Sequence, residues 1–122
     1  MKKLLKIVLV SSLPLLIFSC YYNEFPEEVV VEIPVDQVVS FADDIAPIFV
    51  TYNCTECHNA SGQIPNLTTG SEYNSLVPAY VSAGNPNSSS LYVLLAINDH
   101  RNVDATSLAL IKKWIEDDAQ NN

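Results

Sequence analysis

A five-residue motif near the middle of this 122-residue chain limits its fold more than any other feature. Residues 54–58 are Cys-Thr-Glu-Cys-His. Two thiols at this spacing can each add to a vinyl group of one haem, and the adjacent histidine then lies beneath the iron as its proximal ligand. The motif therefore predicts one covalently attached haem c, held by Cys54, Cys57 and His58.

Other kinds of site also use a CxxC pair. A zinc site would need further Cys or His ligands at suitable spacing, and the chain offers only Cys20 and His100. A thioredoxin-like dithiol is expected within a βαβ pattern, and no such pattern surrounds these residues. A structural disulfide between Cys54 and Cys57 is the main alternative to haem attachment.

The N-terminus predicts export. A basic stretch, residues 1–6, precedes a mostly apolar stretch, 7–19, whose thirteen residues are too few to span the hydrocarbon core of a bilayer. We therefore expect residues 1–19 to be a signal peptide. The segment ends in Leu-Ile-Phe-Ser-Cys, which resembles the bacterial lipobox. This implies that Cys20 becomes the acylated N-terminus and anchors the protein to a cell-envelope membrane, with its domain in the periplasm or at the cell surface. The alternative is an ordinary secretory signal.

The number of cysteines agrees with both assignments. Three cysteines would leave an exported protein with one unpaired thiol. If Cys20 is acylated and Cys54 and Cys57 form thioethers, none is left over.

Charge limits the partners. Without residues 1–19, only Arg101, Lys112 and Lys113 oppose fourteen acidic side chains, a formal balance of −11. Nothing could then neutralise a phosphate backbone, so we expect no nucleic-acid partner. A redox partner guided by electrostatics would carry a basic docking patch. The alternative explanation for these charges is solubility alone.

Residues 20–40 have the composition of an acidic, extended tether interrupted by Pro26 and Pro34. In polyproline-like geometry such a segment could reach roughly 60 Å, far enough to lift a small domain clear of a lipid surface. Its β-branched part, 29–35, could instead pack along the domain as one edge strand. The sequence does not separate these two arrangements.

A helical pattern begins at Ser40. Ser40 and Asp43 have the spacing of a capping box. Pro47 lies inside the pattern and should break or kink the helix unless it begins near Ile45. One apolar stripe follows at helical spacing: Phe41, Ile45, Ile48 and Phe49.

Three further helices are predicted. The first is short and covers 72–76, the second covers 91–97 after the serines at 88–90, and the last is capped by Asp104 or Thr106. Lys112 and Lys113 should face solvent on the last helix. Its apolar stripe is Leu108, Ile111, Trp114 and Ile115.

These patterns predict an all-α domain at 41–119, which contains a loop-like stretch at 59–70 and is followed by a disordered tail at 120–122. A domain of about 79 residues buries little apolar surface and is marginal without help. We therefore expect a haem at its centre to be part of the core.

Four blocks carry a family resemblance: Phe-x-x-Asp-Ile-x-Pro-Ile-Phe at 41–49, the motif at 54–58, Gly-Asn-Pro-x-x-Ser-x-Leu-Tyr at 84–92 and Ile-x-x-Trp-Ile at 111–115. In this order and spacing the chain resembles the short planctomycete-type module of the class I c-type cytochrome superfamily, over residues 41–119. The resemblance implies a cytochrome c-like helical domain whose first and last helices cross, with His58 as proximal ligand.

The resemblance also assigns roles outside the motif. A proline soon after CxxCH supplies a backbone carbonyl that orients the proximal imidazole in such domains, and Pro65 is suitably placed. Trp114 is expected to pack where the terminal helices meet. Apart from the resemblance, Tyr80 and Tyr92 are expected to lie in the core or to line the haem pocket.

The chain departs from this family at the distal ligand, which is usually the methionine of a Met-Pro pair before the last helix. The only methionine here is Met1, which leaves with the signal peptide. Methionine ligation, and the raised potential of a Met/His pair, are therefore excluded. His100 lies in the corresponding stretch and could ligate iron. The sixth site could instead be open or hold water, with His100 a surface residue.

These observations favour a membrane-tethered monohaem c-type cytochrome that carries electrons and is not an enzyme. A haem-based gas-sensing or ligand-binding module with an open sixth site is one alternative. A haem peroxidase would need a polar distal acid/base, for which His100 is the only candidate. The non-haem alternative is an interaction domain stapled by a disulfide.

Overall fold

The computed structural model describes residues 31–122, and these form an all-α fold with no strand. The all-α prediction is confirmed for this part of the chain. The predicted signal peptide at 1–19, the acylated Cys20 and the first half of the tether lie outside the described residues. None of the described helices combines the length and apolarity needed to cross a membrane.

Within residues 31–122, four α-helices alternate with three short turns, one π-helical and two 3₁₀. In chain order they are a π-helical turn Phe41–Ile45, α1 Ala46–Thr51, a 3₁₀ turn Cys54–Glu56, α2 Glu72–Leu76, a 3₁₀ turn Pro86–Ser88, α3 Ser90–Ala96 and α4 Ala105–Glu116. Each α-helix falls within two or three residues of a predicted one.

The first helical segment has a modified capping box. Ser40 Oγ accepts from the N–H of Asp43 at 3.2 Å, as predicted, but the return bond runs from the N–H of Ser40 to Oδ2 of Asp44 at 2.8 Å. A π-helical turn follows the cap, with the Ala46 N–H bonded to the carbonyl of Phe41. α1 then begins after Ile45 with Pro47 in its first turn, where a missing N–H costs no intrahelical bond.

The core lies where this segment meets α4. The predicted stripe on the first segment is buried throughout, and Ile111, Trp114 and Ile115 of α4 are at most 1% exposed. The Phe41 ring centroid lies 5.2 Å from those of both Trp114 and Tyr73. The indole N–H of Trp114 donates to the carbonyl of Gln120 at 2.9 Å. The contact between the Phe41 and Trp114 rings confirms that Trp114 packs where the first helical segment meets α4.

The start of α4 is capped by Asp104, one of the two predicted candidates. Its Oδ1 accepts from the N–H groups of Thr106 and Ser107 at 2.8 and 3.0 Å. Of the two lysines expected in solvent, Lys112 is exposed, whereas Lys113 is half-buried and pairs with Asp117.

Both ends of the described chain lie against the domain. In the predicted tether, Ile33 packs against the core and Val39 is only 4% exposed. The predicted disordered tail instead contacts the first helical segment. Asn122 Oδ1 accepts from the N–H of Phe41 at 2.9 Å, and its carbonyl accepts from the N–H of Ala42 at 3.0 Å. Neither contact follows from a periodic pattern, because each joins residues about eighty positions apart.

Candidate functional site

The CxxCH motif forms one compact helical turn. Its 3₁₀ turn continues until the N–H of His58 bonds the carbonyl of Cys54 at 2.9 Å, an α-type bond. The side-chain amide of Asn59 donates to the carbonyls of Thr55 and Glu56 at 3.1 and 3.2 Å. These carbonyls at the end of the turn therefore have a hydrogen-bond partner. The turn therefore has a fixed shape and presents its two thiols and its imidazole from one short segment.

The two cysteines have different surroundings. Cys54 is 6% exposed and lines a cavity, whereas Cys57 is exposed, and both are free thiols. Burial raises the pKa of the Cys54 thiol, and the charge of Arg101 opposes that shift. In the described structure the predicted alternative of a Cys54–Cys57 disulfide is not formed.

The loop after the motif folds back over it. The N–H of Gln63 donates to the carbonyl of Cys57 at 2.7 Å, and that of Leu67 donates to the carbonyl of His58 at 2.9 Å. Gly62 makes this approach possible, since a Cβ at this position would lie 2.2 Å from the carbonyl oxygen of Cys57. The predicted loop at 59–70 is thus a packed turn.

This loop brings Pro65 to His58. The Nδ1 atom of His58 lies 3.2 Å from the carbonyl oxygen of Pro65. A carbonyl can only accept, so this bond requires a proton on Nδ1, and in the neutral imidazole Nε2 then carries the free lone pair. In a metal-binding histidine, a hydrogen-bond acceptor at the nitrogen that does not bind the metal fixes both the tautomer and the ring orientation.

His58 and Cys54 lie in the wall of an apolar cavity of about 230 Å³. From α3, Leu91, Leu94 and Leu95 line it at i, i+3 and i+4, the spacing of one helical face. The rest of its apolar lining includes Phe49, Leu67, Leu76 and Tyr80.

The structure places Tyr92 elsewhere. Adjacent residues on an α-helix differ by about 100° around its axis, so Tyr92 points away from the face that carries Leu91. It lines a separate groove together with Ile33 and Leu108. Of the two tyrosines expected at a haem pocket, only Tyr80 borders the cavity of His58.

His100 borders the same cavity. Its ring centroid lies 6.3 Å from that of His58, with 78° between the ring planes. The structure therefore brings together Cys54, His58, Pro65 and His100 around one apolar space.

Arg101 was not predicted as part of the site. Its Nη2 atom lies 3.7 Å from Sγ of Cys57 and 3.7 Å from Oε2 of Glu56. Gly62 and Asn59 were missed as well. A single charge, glycine or amide in a loop carries no periodic signal, so these contacts become visible only when the loops are placed.

The residues of the cavity fit a haem in their chemistry. Imidazole suits iron as a ligand, and the lining is largely apolar. Two apolar side chains at the cavity, Ile64 and Leu94, are 79% and 45% exposed. A flat apolar group held at His58 would cover them.

The enclosed space alone is small. It falls below the ~300–1,000 Å³ usual for ligand pockets, so a porphyrin would extend past the mouth of the cavity or move its walls apart. Within residues 31–122, no group of three or more His, Cys, Asp or Glu side chains is placed to hold a metal ion.

Comparisons of this chain with protein-family models, with curated proteins and with solved structures found no match.

Proposed function

We propose that this protein is a monohaem c-type cytochrome that carries electrons while tethered to a membrane. The observation that carries the proposal is the imidazole of His58, oriented by the Pro65 carbonyl in an apolar cavity and preceded by two free thiols at CxxCH spacing. When bound, the haem supplies an iron that accepts and releases one electron.

The chain's own residues have separate tasks in this proposal. Cys54 and Cys57 would hold the group covalently, and Nε2 of His58 would bind its iron while the N–H at Nδ1 donates to the Pro65 carbonyl. Hydrogen bonding at Nδ1 increases the basicity of the ligating nitrogen.

The buried apolar walls would keep water from the part of the group that lies inside the cavity. Leu67, Leu76 and Leu95 are each at most 7% exposed. Burial and a low local dielectric are among the protein's means of setting a redox potential.

The support for the membrane tether and for the redox partner comes from the sequence. A lipobox-like Cys20 supplies the anchor, and the acidic surface favours a partner with a basic docking patch. The expected cellular location is a bacterial cell-envelope membrane, with the domain in the periplasm or at the cell surface.

A potentiometric titration tests the proposal. The full-length chain is produced in a bacterium that attaches haem c, purified from its membranes, and followed by visible absorption as the applied potential is varied. The proposal predicts a single reversible one-electron transition. A purified protein without a redox-active chromophore would contradict it.

The anchor is tested separately. Mass spectrometry of the purified wild type should show acyl chains on an N-terminal Cys20, and a Cys20→Ser variant should lack them. A wild type without acyl chains would contradict acylation at Cys20.

A further inference from the structure

The loop between α3 and α4 places His100 at the cavity of His58. Its N–H donates to the carbonyl of Leu94 at 3.2 Å, so the loop folds back over the end of α3. The ring of His100 then borders the cavity that Leu94 and Leu95 also line. His100 is itself exposed, so it borders the cavity from the solvent side.

The separation of the two imidazoles matches a shared metal ion. Two imidazoles on opposite sides of one metal each bond through nitrogen at about 2 Å, and each ring centre lies about 1 Å behind its nitrogen, which gives about 6 Å between centres. The observed distance between the centroids of His58 and His100 is 6.3 Å. Axial imidazoles can take any angle between their planes, so the observed 78° is compatible with this arrangement.

The backbone around His100 is held in an unusual conformation. Asp99, Arg101 and Asn102 have φ values of 51°, 69° and 51°, all in the left-handed region. Asp and Asn adopt this region more readily than other non-glycine residues, so Arg101 is the unusual one, and such a residue persists where the surrounding structure holds it.

Arg101 connects this loop to the CxxCH turn. Its guanidinium lies 3.7 Å from both the Glu56 carboxylate and the Cys57 sulfur. The residue after His100 is therefore anchored to the segment that precedes His58. This contact joins the two histidine-bearing segments.

We propose that His100 is the second axial ligand of the haem iron, opposite His58, and that Arg101 is a positioning residue that holds the His100 loop against the motif. The proposal rests on the proposed function, since it requires a haem at His58. It assigns two histidines to an iron centre from which the sequence excludes methionine.

The first experiment compares absorption spectra of the purified full-length wild type and His100→Ala holoproteins in both oxidation states, with and without carbon monoxide. The wild type should be low-spin in both states and bind carbon monoxide slowly or not at all. His100→Ala should lose the low-spin spectrum and bind carbon monoxide rapidly. A wild type that binds carbon monoxide as fast as the variant would overturn the proposal.

Two further measurements separate ligation from a general effect on folding. Imidazole added to the His100→Ala protein should restore the low-spin spectrum, because it supplies the missing ligand. A His100→Met variant should stay low-spin with a raised midpoint potential, as a Met/His pair does. A midpoint potential equal in wild type and His100→Met would contradict ligation by residue 100.

Arg101 is tested through the spin state. Arg101→Gln should convert part of the ferric protein to the high-spin form, and Arg101→Lys, which keeps the charge beside Glu56, should restore part of the low-spin form. Asn98→Ala in the same loop is the control and should match the wild type. Identical spin states in wild type and Arg101→Gln would overturn the positioning role.

Failure of this proposal and failure of the proposed function give different results. A protein with covalent haem whose spectra are the same in wild type and His100→Ala refutes only the ligand assignment. A protein without covalent haem refutes the function.

Discussion

The Nδ1 atom of His58 lies 3.2 Å from the carbonyl oxygen of Pro65, seven residues further along the chain. This relationship fixes the tautomer of the histidine in the CxxCH motif, since the carbonyl must accept. It also fixes which nitrogen can ligate a metal.

The tautomer can be measured directly. In the ¹⁵N-labelled, reduced full-length protein, long-range ¹H–¹⁵N correlation should show the His58 ring protonated at Nδ1 and unprotonated at Nε2. Assignment of the signals comes from a His100→Met variant, in which one histidine remains in the mature chain. A proton on Nε2 of His58 would contradict the orientation described above.

Gly62 should tolerate no side chain. Gly62→Ala would place a Cβ 2.2 Å from the carbonyl oxygen of Cys57, and backbone cannot swing aside as a flexible side chain can. We expect a loss of about 1–3 kcal/mol in the free energy of unfolding, as for other overpacked sites. Urea denaturation of the purified holoprotein measures it.

Ser61→Ala is the matched control for Gly62, because Ser61 is exposed and adjacent. Its effect should stay within about 0.5 kcal/mol. Equal midpoints for the two variants would show that the loop does not pack over Cys57 as described.

Asp104 should make stability depend on pH in the acid range. Hydrogen bonds from the Tyr52 hydroxyl and from the N–H and hydroxyl of Ser107 hold the pKa of Asp104 at about 2, below its ordinary 3.8. The unfolded chain therefore binds this proton more readily. The stabilisation is fully present above about pH 4 and is lost as pH falls toward the folded pKa.

The measurement is the difference in unfolding free energy between wild type and Asp104→Asn across pH 2 to 6. This difference should be constant above about pH 4 and shrink toward pH 2. Tyr52→Phe removes the largest cause of the shift and should move the acid loss to higher pH. A difference that does not vary between pH 4 and pH 2 would contradict the assignment.

Ile111 should be among the most sensitive positions of the core. It is fully buried where α4 meets the first helical segment. Ile111→Ala is expected to cost about 2–5 kcal/mol of unfolding free energy through lost burial and a cavity. The adjacent Lys112→Ala, on the exposed side of α4, should change stability by less than about 0.5 kcal/mol. Comparable losses in both variants would contradict the burial of Ile111 and the exposure of Lys112 on α4.

Local patterns were enough to predict the helices. The stripe from Phe41 to Phe49, the Asp104 cap and the short helix at 72–76 depend on contacts within a few residues, and such contacts leave a periodic trace in the sequence. The π-helical turn before Ala46 was not expected, because it changes the hydrogen-bond spacing without disturbing the apolar stripe.

The site was predictable only in part. The CxxCH spacing names its own three residues, and the family resemblance led to Pro65. The contacts of Arg101 with Glu56 and of Asn122 with Phe41 join residues far apart in the chain. The face on which Tyr92 lies depends on the exact phase of α3. Neither kind of information is carried by a single sequence pattern.

The proposed function requires that Cys54 and Cys57 hold a haem through thioether bonds. Haem-specific staining of a denaturing gel tests it, because only covalently attached haem stays with the unfolded chain. The full-length wild type, the Cys54→Ser/Cys57→Ser double variant and a Ser61→Ala control are compared after expression in a strain that matures c-type cytochromes. We predict a stained band at the position of the wild type and of the control, and none for the double variant. An unstained wild-type band in a strain that stains a known c-type cytochrome would contradict the account.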